Sequence, residues 1–135
     1  MPNIILDTNV IVSGLVFGGK IKNILQAVFT QDVEMVSCDE LEREVLRILV
    51  GKFEVSLDHL TLAKKLLKIA KTYTVKKPYP HISRDKNDNY LLGLIEISNA
   101  EILVTGDKDL LVLGSYKGCV IVKPSEFLET NNLLS

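Results

Sequence analysis

Apolar positions along the chain follow two spacings. Short, mostly apolar runs at Asn3 to Leu6, Val33 to Val36, Ile102 to Thr105 and Val120 to Val122 have the length and composition of buried strands. Between them, apolar residues recur three and four apart, as helices require when one face is buried. Ile21, Ile24, Leu25 and Val28 form one such stripe, ending at Phe29, and Leu41, Val45, Leu46, Ile48 and Leu49 form another within Glu40 to Leu49. A third helix is predicted from Asp58 to Lys71, capped by Ser56 or Asp58 and carrying lysines on its outer face. Val75 to Asn87 holds Pro78, Pro80 and a Lys-Lys pair with no apolar period, which predicts a loop. Asp88 to Ile97 and Leu110 to Leu113 return to helix. Pro124 opens a last short helix, where its missing N–H costs nothing.

Apolar strands separated by helices imply a parallel sheet covered on both faces. The expectation is one α/β domain over residues 1–135, a three-layer α/β/α sandwich around a central, mainly parallel sheet. With 135 residues, 47% hydrophobic and 24% charged, the chain is long and apolar enough to fold around one core. Sixteen basic against seventeen acidic residues give a net charge of −1, which excludes a uniformly basic nucleic-acid coat but not a local basic face. A mean hydropathy of +0.21 favours a covered interface, and a homodimer is expected. The cysteines, Cys38 and Cys119, form no C-x-x-C pair and read as buried thiols in a reducing compartment. No secretory signal or membrane span fits, so a cytoplasmic protein is expected.

Candidate chemistry lies at the strand ends. Asp7 follows Ile4-Ile5-Leu6, Asp107 follows Ile102 to Gly106, Asp88 opens a helix after a loop, and Glu44 lies on a helix that follows a strand. In a parallel sheet all strand carboxyl ends share one edge, where such folds bind ligands. Carboxylates gathered there repel one another and raise one another's pKa, unless a divalent cation neutralises them. An all-oxygen donor set without His or Cys points to Mg²⁺ or Mn²⁺ and away from zinc. Taken singly, Asp7 and Asp107 also suit helix N-caps. A calcium loop at Asp85 to Glu96 is excluded because Tyr90 stands where the turn glycine is required. No Walker loop, GxGxxG or GxSxG occurs.

ILDTNVIVSG near the start, SRDKNDNYLLGLIE in the middle and ILVTGDKDLL toward the end, in that order, resemble the PIN domain, a metal-dependent ribonuclease fold. The resemblance runs from Asn3 to Leu111 and suits small bacterial and archaeal members, including toxins of toxin–antitoxin pairs. It implies that Asp7 is the first metal ligand, with Thr8 and Asn9 completing its turn. Asp88 resembles the acid opening the later helix, and Asp107 the acid after the fourth strand. Thr105 matches the hydroxyl residue before that acid, Asp109 an auxiliary acid, and Asp85 part of an Arg-Asp pair. The remaining family acid matches Glu44, in Glu44 to Leu49 with Ser37 at the helix start, or Glu40 one turn earlier.

The implied activity is hydrolysis of RNA phosphodiesters with one or two ions of Mg²⁺ or Mn²⁺ held by Asp7, Asp107 and either Asp88 or Glu44. The products would carry 5′-phosphate and 3′-hydroxyl ends, and an antitoxin protein is the implied partner. A non-catalytic RNA-binding or protein-interaction module and a structure-specific DNA nuclease are the alternatives. An acidic site needs cations nearby to hold RNA. Half of the sixteen basic residues fall between Lys64 and Lys86, and Lys76, Lys77, Arg84 and Lys86 adjoin the Asp88 turn. Lys20 and Lys22 offer a second contact. His59 and His81 read as surface or capping residues, and Tyr79 and Tyr90 as packing rather than base-stacking residues.

Overall fold

A computed structural model describes residues 2–52, 56–83 and 88–133. Arg84, Asp85 and Lys86, expected at the edge of the site, lie outside the described residues. The chain runs β1 (Asn3–Leu6), α1 (Thr8–Val16), a 3-10 turn (Gly19–Ile21), α2 (Lys22–Phe29), β2 (Glu34–Cys38), α3 (Asp39–Lys52), α4 (Leu57–Ile69) and β3 (Lys71–Tyr73). It continues through α5 (Asn89–Ser98), β4 (Ile102–Val104), α6 (Lys108–Leu111), β5 (Ser115–Tyr116), β6 (Cys119–Val122) and α7 (Pro124–Thr130).

Six strands form one sheet in the order β3-β2-β1-β4-β6-β5. All pairings are parallel except the β5–β6 hairpin, in agreement with the mainly parallel α/β fold read from the sequence. Ile4, Ile5, Leu6, Leu103 and Val104 are fully buried. Strands hidden on both faces have no polar side to show, and for that reason they read as continuous apolar runs.

Strand order fixes where a site can form. The chain moves outward from β1 through β2 to β3, then returns to the other side of β1 with β4 and β6. Adjacent connections therefore diverge between β1 and β4, which opens a crevice at the carboxyl ends of that pair. Register is set by Ile4 opposite Ile102, Ile5 opposite Leu103 and Leu6 opposite Val104.

Several boundaries differ from the sequence reading. Ser37 does not begin a helix; it lies inside β2, fully buried, and α3 starts at Asp39. The lysine-bearing helix stops at Ile69, because Ala70 turns extended and Lys71 enters β3. Its N-cap is Ser56, whose hydroxyl accepts the His59 backbone N–H at 3.2 Å, with Asp58 in the first turn. Thr8 to Val16, an apolar run without helical period, is helix α1, and β3 and β5 have no counterpart in the reading.

Candidate active site

Asp7 and Thr105 leave adjacent strands at the same level. The Asp7 backbone N–H donates to the Val104 carbonyl at 3.0 Å, extending the β1–β4 ladder by one rung. This rung brings the Thr105 hydroxyl to the Asp7 carboxylate, to which it donates at 2.6 Å. The same hydroxyl oxygen accepts the Asp107 backbone N–H at 3.0 Å. Thr105 thus ties the end of β1 to the turn after β4, and it is fully buried.

The two aspartates differ in how their carboxylates are used. Asp107 caps α6, accepting the Asp109 N–H at 2.8 Å, so Asp109 contributes to the site through its backbone. Asp7 occupies the N-cap position of α1 in an extended conformation, but its carboxylate makes no side-chain cap bond. Its carbonyl carries the helix instead, accepting from Val10 at 3.0 Å and Ile11 at 3.1 Å. Helix capping therefore accounts for the Asp107 carboxylate but not for the buried Asp7 carboxylate, whose side-chain partner is Thr105 on the neighbouring strand end.

Burial is the main influence on Asp7 and raises its pKa above 3.8. The Thr105 hydroxyl and the Thr8 backbone N–H partly offset this, while the charges of Asp107 and Glu44 push it further up. The Tyr90 hydroxyl donates to Glu44 Oε2 at 3.4 Å and lies 3.5 Å from the Thr8 hydroxyl. Tyr90 is buried, and burial holds its phenol protonated.

Glu40, one turn before Glu44, is engaged elsewhere: the Tyr79 hydroxyl donates to it at 2.5 Å, an interaction that pushes the Tyr79 phenol up to about 12. The two glutamates open as alternatives from sequence thus face different tyrosines, and Glu44 is the one whose charge reaches Asp7. Asp88 is buried at the N-cap of α5, two residues before Tyr90. Asn9 is exposed on the first turn of α1. Lys76 and Lys77 are exposed on the approach to α5, with the Lys77 ammonium 5.9 Å from the centre of the Tyr79 ring.

From sequence, both tyrosines read as packing residues. Burial of Tyr90 agrees with that, but its hydroxyl also links Thr8 to Glu44, and Tyr79 holds Glu40. The one signal for Tyr90 in the sequence is a hydroxyl-bearing ring in the first turn of an otherwise apolar helix, two places after an acid.

The donor set suits a hard divalent cation, being oxygen throughout. Among the described residues, no three His, Cys, Asp or Glu side chains are gathered into a preformed ion cage. Mg²⁺ does not require one, since it keeps several waters and takes one or two carboxylates plus substrate oxygens. Asp7 and Asp107, coupled through Thr105 with unrelieved repulsion at Asp7, fit that requirement.

The PIN domain family profile matches residues 3–109. The chain belongs to the PIN-domain family. Members of this family are nucleases that generally use divalent metal ions. Two solved structures superpose on the fold. VapBC2 from Rickettsia felis, bound to a DNA fragment from its promoter, matches with a TM-score of 0.65 at 15% identity, covering 90% of this chain and 98% of that one. PAE2754 from Pyrobaculum aerophilum matches with a TM-score of 0.62 at 16% identity, covering 96% of this chain and 88% of that one. At these identities the likeness is one of fold. No curated protein matches the sequence. Among the described residues, no helix is long and apolar enough to cross a membrane.

Proposed function

We propose that this PIN domain is a metal-dependent endoribonuclease. The observation that supports it most directly is the buried, charge-repelled Asp7 carboxylate tied through Thr105 to Asp107 at the sheet switch point. A structural cap would not need that repulsion. Asp7 and Asp107, joined by Asp88 from the N-cap of α5, would hold Mg²⁺ or Mn²⁺. The ion supplies neutralisation of charge on the phosphoryl oxygens and a lowered pKa for a bound water.

The chain's own residues perform the remaining tasks. Thr105 fixes the Asp7 carboxylate, and the Asp109 N–H fixes Asp107. Glu44, oriented by Tyr90, accepts the proton of the attacking water. The water oxygen bonds to phosphorus as the bond to O3′ breaks and O3′ takes a proton from solvent, leaving a 5′-phosphate and a 3′-hydroxyl. Lys76 and Lys77 would contact the RNA backbone, joined by Arg84 and Lys86 beyond the described residues, where Asp85 would serve as an auxiliary acid. Asn9, exposed on the turn after Asp7, would face the substrate.

The VapBC2 likeness supports a toxin held by an antitoxin protein in the cytoplasm. Exposed Phe17, Val50, Leu57 and Val112 support a protein partner, the antitoxin or a second copy of the chain. The deciding experiment compares wild type with Asp7→Asn on single-stranded RNA and DNA under Mg²⁺ and Mn²⁺ titration. Expected are RNA fragments with 5′-phosphate ends from wild type and none from the variant. Equal cleavage by both proteins, or none by wild type at millimolar metal, overturns the proposal.

A further inference from the structure

The edge that carries the acids continues one strand further. β6 pairs with β4, placing Val122 opposite Val104, and the Thr105 N–H donates to the Val122 carbonyl at 3.0 Å. Lys123 therefore leaves the sheet beside Thr105, one strand spacing (~4.8 Å) from it. Read across the edge, the strand ends carry Asp7, then Asp107, then Lys123.

Lys123 does not stand alone. A cavity of about 510 Å³ with a largely apolar lining that includes Leu111 and Leu128 is also lined by Lys20, Gly106, Lys123 and Ser125. Gly106 lies between Thr105 and Asp107, so this cavity adjoins the acidic turn directly. Lys20 reaches it from the 3-10 turn that Gly18 caps and Gly19 opens, where φ angles of 70° and 64° suit glycine. The lining contains no acid, and neither lysine forms an ion pair among the described residues. Two unpaired cations and a hydroxyl around one cleft make a site for an anion, and the volume is of the size that admits a nucleotide.

We propose that this cleft is a phosphate subsite for the substrate strand, in which Lys20 and Lys123 clamp the linkage next to the one that is cut and Ser125 donates to it. The proposal rests on the ribonuclease reading for the identity of the polyanion. It accounts for how an acidic centre keeps an anionic strand in place: the scissile phosphate sits at the acids while its neighbour is held one strand away.

The test uses a single-stranded RNA oligonucleotide whose cleavage position has been mapped, and a set of the same oligonucleotide with one linkage at a time made neutral as methylphosphonate. Binding is measured to Asp7→Asn protein with and without Lys20→Ala and Lys123→Ala, and cleavage is measured with the lysine substitutions alone. The double lysine variant should bind roughly ten-fold more weakly, raise KM more than it lowers kcat, and reduce the salt slope by about two. Neutralising one linkage adjacent to the cut should weaken binding with both lysines present and have no further effect once they are removed.

Metal-dependent cleavage by the double variant with unchanged KM and salt slope overturns the subsite. Linkage neutralisation that weakens both proteins equally also overturns it. Should wild type and Asp7→Asn cleave the mapped position equally while the lysine- and linkage-dependence of binding persists, the phosphate-binding cleft stands and the ribonuclease reading falls.

Discussion

Thr105 shows how much of the site depends on one hydroxyl. It donates to Asp7 and accepts from the Asp107 N–H, so Thr105→Val removes both bonds while preserving shape. Leaving those buried groups unsatisfied should cost about 1–3 kcal/mol of stability, measurable by urea unfolding. Because the hydroxyl lowers the Asp7 pKa, its loss should also shift the acidic limb of the pH–rate profile to higher pH.

Asp7 itself makes a prediction of opposite sign. Its folded-state pKa lies above 3.8, so it favours the folded state fully only below that value and ceases to do so as pH rises through the raised one. Asp7→Asn should therefore raise Tm near neutral pH, with the gain shrinking toward about pH 4. Added Mn²⁺ should raise the Tm of wild type more than that of the variant, since only wild type gains relief of repulsion. An unchanged or lowered Tm for Asp7→Asn at neutral pH would show that burial and repulsion do not act on Asp7 as argued.

Among the elements, α5 sets the position of Tyr90 and the segment around Tyr79. Gly93 lets that segment approach the helix: a Cβ there would lie 2.6 Å from Val75 Cγ1, and valine has little freedom to yield. Gly93→Ala should destabilise the fold by about 1–3 kcal/mol. Gly51, on α3, is the counterpart, because a Cβ added there would meet nothing within 4 Å. Gly51→Ala should be neutral or stabilise by up to about 1 kcal/mol. Chemical denaturation of the two variants side by side checks both signs.

What the sequence disclosed follows from the same packing. The core strands were legible because they are apolar on both faces, and α2, α3 and α4 because each keeps a wet face. α1 was not legible, since Thr8, Val10, Ile11, Val12, Gly14 and Leu15 are all buried and leave no polar stripe to mark the period. The edge strands β3 and β5 are short, and Lys71 and Thr72 are exposed, so they carry no alternation. Asp7 and Asp107 could be found from their places at strand ends. Glu40 and Glu44 could not be separated, because the tyrosines that distinguish them come from chain segments some forty residues away. Lys123 obeys the strand-end rule as well as the acids do, but a lone lysine after a strand carries no repulsion to single it out.

At the scale of the molecule, a net charge of −1 conceals local groupings of one sign: Asp7 and Asp107 meet at the crevice, Lys20 and Lys123 line the adjoining cleft, and Lys76 and Lys77 are exposed on the segment that precedes α5. If four such phosphate contacts operate, kcat/KM for RNA should fall by roughly tens-fold over a four-fold rise in salt. A flat response would remove the basic flanks from the account of substrate binding.

The extra rung between Asp7 and Val104 also bears on biosynthesis. Its two partners are almost a hundred positions apart, so a polypeptide still emerging from the ribosome holds Asp7 long before Thr105 exists to anchor it. If the proposed ribonuclease reading holds, an enzyme assembled in this way would stay inert beside the messenger that encodes it until most of the chain has been made. Ribosome-bound fragments ending before β4 should accordingly leave RNA intact.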